Sequence, residues 1–331
     1  MNRDDADLTR RSYLKRMGAA AVASAGLSAQ SQSNWPSKPI RWIVPFAPGG
    51  TSSIVARSIA AEITKQMGVT IVIDNKGGGG GVPAMLELLH APADGHTIVM
   101  SHIGLMAVNP LIYPDSGYDV NKDFVPVTLL NRIPSLFVVH KDVPVKDIKS
   151  FVEYVKARPG KLNYASAGNA SAGHLANEAL KQRTGMFITH IPYRGTGPAL
   201  TDVLAGRVEL FSAGTPALLP HSRSGAVRCL GVGSAKRISA LPDVPCISET
   251  YPGFETEQWY GVHVRAGTPP EIIARLQQEC AKALRSAEVI AKHDAESATA
   301  GGGSPQEYAA FIAKEQARWR DVVIKAGIRA G

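Results

Sequence analysis

The segment from Ile40 to Arg57 constrains the fold of this chain more than any other stretch. An apolar run, Ile40-Arg41-Trp42-Ile43-Val44, breaks into Pro45-Phe46-Ala47-Pro48-Gly49-Gly50-Thr51-Ser52-Ser53. Apolar residues then return at Ile54, Val55, Ile59, Ile63 and Met67, the spacing of one helix face. The pattern predicts a strand, a tight loop and a helix, with Ser52 or Ser53 as the helix cap. Such a junction aims unpaired backbone N–H groups and the positive end of a helix dipole at whatever lies above the strand, which suits a carboxylate or a phosphate.

The same design recurs. Val69 to Asp74 reads as a strand that runs into Asn75-Lys76 and the glycines Gly77 to Gly81, with Pro83 opening the next helix. Lys161 to Ala165 leads into Ser166-Ala167-Gly168-Asn169-Ala170-Ser171-Ala172-Gly173-His174, and Phe187 to Ile191 leads into Pro192-Tyr193-Arg194-Gly195-Thr196-Gly197-Pro198. Loops at 46–53, 75–82, 166–174 and 193–198 therefore all leave the C-terminal end of a strand and enter a helix. In α/β sheets ligands sit at that edge, and two such sheets that face one another enclose a ligand. A third strand, Thr97 to Ser101, places His102 at its exit. Val125 to Leu130 and Gln258 to Val264 read as strands that cross between domains. Amphipathic helices from Pro270 and from Ser304-Pro305 to about Ala326 are expected to return to the first domain.

A length of 331 residues with 44% apolar residues allows two well-buried domains. The net charge of +8 includes +2 from Arg3, Arg10, Arg11, Lys15 and Arg16 against Asp4, Asp5 and Asp7. The remainder is spread without basic blocks, so no nucleic-acid surface is expected. Cys229, Cys246 and Cys280 are too few and too scattered for a metal cluster; Cys229 and Cys280 read as core thiols, and pairing of Cys246 with either stays open. Thr9-Arg10-Arg11-Ser12-Tyr13-Leu14-Lys15-Arg16, the uncharged run Met17 to Leu27 and the small residues to Ser33 have the form of a bacterial signal peptide. The paired arginines resemble the twin-arginine export signal. A signal at 1–33 implies a periplasmic protein.

The loops lack catalytic motifs: there is no G-x-S-x-G elbow, no H-E-x-x-H, no Walker lysine and no carboxylate pair. Their backbone N–H groups and hydroxyls offer binding chemistry, with no cofactor and no metal called for. A hydrolase using Ser166 or Ser53 with His174 or His102 is the enzymatic alternative, and it lacks an oriented third group.

Ile43-Val44-Pro45-Phe46-Ala47-Pro48-Gly49-Gly50 with Ala56-Arg57, Asp94-Gly95-His96-Thr97, Asp123-Phe124-x-Pro126-Val127, Tyr164-Ala165-Ser166-x-Gly168, His190-Ile191-Pro192-Tyr193-Arg194-Gly195 and Trp259-x-Gly261 together resemble the Bug family. These are the extracytoplasmic receptors of tripartite tricarboxylate transporters, and the match runs from about Trp35 to Ile328. The resemblance implies an α/β protein of the two-domain periplasmic-binding-protein type II, with domain 1 at 34–131 and 255–331 and domain 2 at 132–254. It implies two crossing strands, closure on a small carboxylate, and delivery to membrane permease subunits or presentation to a sensor kinase. Carried over, the carboxylate lies against Ala47, Gly49, Gly50 and Ser52, and its far end meets Ser166, Gly168, Asn169, Ser171, Tyr193 and Thr196. Phe46, Ser53, Asn75, His102 and His174 complete the expected site. Two departures stand out: Ser53 where the family usually has Asp, and Asp74-Asn75-Lys76-Gly77-Gly78-Gly79-Gly80-Gly81 where it usually reads Glu-Asn-x-x-Gly-Ala-Gly-Gly.

Overall fold

The computed structural model describes residues 35–329, of which 38–329 fall in one compact unit. The export signal expected at 1–33 lies outside the described residues. The strands are β1 (Ile40–Val44), β2 (Ile71–Asn75), β3 (Thr97–His102), β4 (Phe124–His140), β5 (Asn163–Ser166), β6 (Thr189–Pro192), β7 (Leu210–Gly214), β8 (Val227–Val232) and β9 (Glu257–Arg265). The longer helices are α1 (Thr51–Met67), α2 (Val82–His90), α3 (Ile148–Lys156), α4 (Ala172–Thr184), α5 (Thr196–Leu204), α6 (Thr215–Arg223), α7 (Pro270–Leu284), α8 (Ala287–Glu296) and α9 (Pro305–Ala326).

The sheet has two halves built on one plan. In the first, parallel strands run in the order β2-β1-β3, followed by antiparallel β9 and then β4. In the second, parallel strands run β6-β5-β7, followed by antiparallel β4 and then β8. The inner parallel strands β1, β3, β5 and β7 are short and largely buried, as in a sheet whose two faces are covered by helices.

Strand β4 serves both halves. Phe124 to Pro134 pair with β9, whereas Ser135 to His140 pair with β7 and β8. The run at 125–130 thus belongs to one long strand that changes partners at Pro134. Its two prolines sit where a ladder tolerates a missing N–H: Pro126 at a register shift and Pro134 at the end of the β9 pairing. The return crossing, just before β9, is tied to the first through Gly233, whose N–H donates to the Ser135 carbonyl and whose carbonyl accepts from Thr256 N–H, both at 2.8 Å.

The C-terminal helices return to the first half as expected. Tyr308, Ile312, Trp319 and Val323 of α9 join Ile43, Met85, Leu88, Val99 and Met106 in one core. Around Trp259 the packing is polar at its rim: Trp259 Nε1 and Trp319 Nε1 both donate to Glu315, at 2.9 and 3.2 Å. The second half has its own cores on the two faces of its sheet, centred on Phe151, Tyr164 and Ile188 on one side and on Val203, Phe211 and Leu218 on the other. All three cysteines are free, which closes the question of a Cys246 pair.

A cleft ringed by helix N-termini

Three β-loop-α junctions deliver helix N-termini to the same cavity. Helix α1 begins after Gly50, α4 after Ser171 and α5 after Gly195, and each puts a cap or first-turn residue on its wall, while α6 begins after Gly214, just past the lining residue Ser212. The sequence expected a serine cap on α1; instead Gly50 occupies the cap position in extended conformation, and Ser52 and Ser53 lie in the first turn. Gly50 is required there by crowding. A Cβ on it would lie 2.8 Å from Thr196 Cβ, so a side chain would separate the starts of α1 and α5. Likewise a Cβ on Gly173 would fall 2.2 Å from the Ser212 carbonyl, which brings the start of α4 against β7.

Between these ends lies an inner cavity lined by Phe46, Ser52, His102, Ile103, Ala167, Ser171, Ala172, Gly173, Thr196, Ser212, Gln258, Trp259 and Tyr260. It contains no Asp, Glu, Lys or Arg. Its free interior leaves about 20 Å³ for the centre of a water molecule, room for a water or so. A ligand larger than that enters only if the walls part.

The polar groups of this cavity are under-used within the protein. Among the described residues the hydroxyls of Ser52 and Thr196 make no hydrogen bond, and Ser212 Oγ is buried without a partner. His102 Nδ1 accepts from Gly104 N–H at 3.0 Å, while its Nε2 is buried without a partner. Burial alone holds this imidazole near pKa 3. The ring is therefore neutral, with Nδ1 as acceptor and the proton on Nε2, a donor at the cavity wall. Ser171 Oγ is partly engaged, accepting His174 N–H as the cap of α4 at 3.3 Å.

The remaining expected residues take other places. Ala47, Gly49 and Gly50 form the lip of the cleft: Ala47 N–H donates to the Arg194 carbonyl across it at 2.9 Å. Ser53 faces away from the cavity and accepts from Asn75 Nδ2 at 2.8 Å, and the same amide nitrogen donates to the Phe46 carbonyl at 2.9 Å. These two residues brace the loop that carries Phe46. Ser166 is fully buried beneath its loop, where it bonds Gly168 and His190 Nε2, the latter at 2.6 Å. His174 stacks on His190 with ring centroids 3.9 Å apart, and Tyr164 stacks on His190 at 4.8 Å and on His174 at 6.4 Å. The hydrolase pairs Ser166–His174 and Ser53–His102 are thus not assembled; Ser166 bonds His190 instead, and neither residue lines the inner or the outer chamber. Gly168, Asn169 and Tyr193 line an outer chamber, and the Tyr193 hydroxyl donates to Asp202 at 2.8 Å.

Sequence reasoning missed Ser212 and Gln258 to Tyr260 as lining residues. For the first a signal existed: β7 ends in Gly214-Thr215-Pro216, a further strand-loop-helix junction of the opening type. For the second there was none, because Gln258 to Tyr260 reach the cavity by the pairing of β9 between β3 and β4.

Two halves of one strand order, crossed by a shared strand and closing on an uncharged cavity ringed by helix ends, define the solute-binding class of two-lobed α/β proteins. Residues 55–328 match the model of the tripartite tricarboxylate transporter family receptor. The chain is 36% identical over 329 residues to a protein encoded in the tcbD-tcbE intergenic region of Pseudomonas sp. strain P51, covering 99% of this chain and 97% of that one. It is 35% identical to BugT of Bordetella pertussis, covering 93% and 95%. Among solved structures, an R. palustris protein with adipate superposes with a TM-score of 0.86 at 39% identity, covering 89% of this chain and 99% of that one. MatC from Rhodopseudomonas palustris with bound malate gives 0.83 at 33%, covering 87% and 100%. The periplasmic binding protein BugD gives 0.85 at 32%, covering 89% and 99%. The chain belongs to the tripartite tricarboxylate transporter receptor family, and its fold is the periplasmic-binding-protein type II fold expected from the sequence. Among the described residues no helix is long and apolar enough to cross a membrane.

Proposed function

We propose that this protein is a periplasmic receptor that captures a small carboxylate between its lobes and delivers it to the membrane permease of a tripartite tricarboxylate transporter. One observation carries the reading: the starts of α1, α4 and α5 converge on a cavity that holds hydroxyls, an imidazole donor and no charged side chain. Each helix start carries roughly half a positive charge, so the ring favours an anion without any cationic side chain. The relatives solved with adipate and malate point to carboxylates. In this reading the lobes are 34–131 with 255–331, and 132–254, and they move about the crossings at Pro134/Ser135 and Thr256/Glu257. Ser52, His102, Ser171 and Thr196 bind the ligand, and Ala47, Gly49 and Gly50 close over it.

Protein stripped of carried-over ligand and titrated with a panel of organic acids tests this. A ligand at about 100 times its Kd adds roughly 2.7 kcal/mol of stability, so a bound acid raises the melting temperature by several degrees. No shift and no heat of binding with any acid overturns the proposal. Export through the paired arginines belongs to the same reading: Arg10→Lys with Arg11→Lys should leave the protein in the cytoplasmic fraction, and unchanged export would remove the twin-arginine route.

A further inference from the structure

A separate recess lies in the first half of the molecule, between α9, the start of β4 and residues 106–121. It shares no lining residue with the inner cavity or the outer chamber. Met106, Phe124, His263 and Ile312 are buried at its floor, and Asn121, Ala309 and Ala313 are exposed at its mouth. It offers about 120 Å³ for the centres of water molecules, which approaches the roughly 150 Å³ of an apolar cavity that holds benzene. None of its lining residues is charged.

We propose that this recess is a second binding site, for a small neutral molecule with a ring-sized apolar body and one hydrogen-bond-accepting oxygen, a phenol or a cyclic ketone, held by His263 Nε2. The inference goes beyond the carboxylate reading above and does not depend on it.

A row of three side chains sets the polarity of the site. His263 Nδ1 lies 2.7 Å from Ser101 Oγ, which lies 2.8 Å from the Tyr308 hydroxyl. Among the described residues the Tyr308 hydroxyl has no other hydrogen-bond partner. Its proton therefore goes to Ser101 Oγ, and the Ser101 proton goes to His263 Nδ1; the opposite order would leave a buried Tyr308 O–H without an acceptor. With Nδ1 as acceptor, the imidazole proton sits on Nε2. Burial keeps the ring uncharged, near pKa 3. His263 is only 2% exposed, and its Nε2 has no hydrogen-bond partner among the described residues, so this donor is left for the recess that the ring lines. Two features open the space. His263 is paired across the ladder with Pro126, where the β4–β9 register shifts, and a bulge re-aims the side chains beside it. On α9, Ala309 and Ala313 stand four residues apart and so share a face. Gln316 is already spent on the Met106 carbonyl at 2.7 Å and fixes the wall. A carboxylate here would find no cation and an ammonium no anion, so an ion would lose its hydration without compensation.

Calorimetric titration of the protein and of its Ala313→Leu variant with phenol, cyclohexanone and benzene tests the assignment. Phenol and cyclohexanone should bind the parent more tightly than benzene does by about fivefold, the worth of one neutral hydrogen bond. Ala313→Leu fills the recess from an exposed helix position, so circular dichroism and melting should stay as in the parent while phenol binding weakens by roughly tenfold or more. Long-range ¹H–¹⁵N spectra should show His263 protonated at Nε2, with that nitrogen's signal moving as phenol is added. Absence of phenol binding, equal affinity for phenol and benzene, or unchanged phenol binding in Ala313→Leu overturns the proposal. So does a His263 proton found on Nδ1, or an Nε2 signal that phenol does not move. None of these outcomes bears on the carboxylate receptor, which the organic-acid titration tests by itself.

Discussion

Ser53 shows how a residue's role depends on which way its side chain turns. It is buried in the first turn of α1, and its hydroxyl is spent on Asn75, which also holds the Phe46 carbonyl. Ser53→Ala should cost about 1 kcal/mol, the usual worth of one such bond, with ligand affinity little changed. Ser53→Asp is different in kind. It would restore the residue usual in the family and place a carboxylate near the helix end that the proposed ligand uses. Like-charge repulsion in a partly buried site should weaken carboxylate binding by roughly tenfold. Titration of the two variants against one acid checks the pair, and an unchanged or tighter affinity for Ser53→Asp would show that the charge at this position does not reach the ligand. Sequence alone marked Ser53 by its difference from relatives. Its partner Asn75 lies in the adjacent strand, so only the parallel pairing of β1 with β2 could bring them together.

At the scale of elements, the closed lip is a seam between two loops. Ala47 N–H meets the Arg194 carbonyl, Gly50 meets Thr196, and a Cβ on Gly197 would lie 2.5 Å from the Pro48 carbonyl. Gly197 sits in the first turn of α5, not in the left-handed region, so its lack of a side chain serves contact and not backbone conformation. Gly197→Ala should therefore leave the unliganded fold as stable or slightly more so, since alanine favours a helix by up to about 1 kcal/mol over glycine. The same change should hold the lips apart and speed ligand release by about tenfold or more. Stability and affinity moving in opposite directions, read by melting and stopped-flow dissociation, is the signature; an unaltered off-rate would show that the lip does not retain the ligand. Position in sequence predicted these loops as ligand-binding. That two of them also grip each other across the cleft depends on how the halves fold over.

Over the whole molecule, burial keeps several histidines neutral. Desolvation lowers His102, His190 and His263 to about 3 and His174 to about 4, with Lys181 adding repulsion for the last and the His174–Lys181 neighbourhood adding it for His190. An unfolded histidine titrates near 6.5. Above that pH neither state holds these protons, and the stability is fully present. Below it the unfolded chain takes up protons that the folded chain refuses, so stability falls as pH drops from about 6.5 toward 4, by up to about 1.4 kcal/mol per pH unit for each group. The melting temperature should be clearly lower at about pH 5 than at about pH 7. His190→Gln, which keeps an amide near Ser166, should lessen that fall. A melting temperature that does not move over this interval would contradict the buried neutral state of the stack.

The amino-acid sequence by itself determined the alternation of strand and helix, the direction of the loops and the kind of chemistry they carry. Periodicity, glycine and proline act within a few residues, so they can be read along the chain. It also carried the family, through motifs spread from Ile43 to Gly261. Tertiary structure decided which loop residues face the cavity. Ser52 and Thr196 do; Ser53 turns to Asn75, and Ser166 and His174 both turn to His190, because each found a partner on a neighbouring strand. It also decided the packing of Phe46 against His102, with ring centroids 4.6 Å apart, and that of the Arg194 stem beside Gly78. These are contacts between residues far apart in the chain, fixed by how two sheets pair with shared strands, and no local pattern encodes that distance.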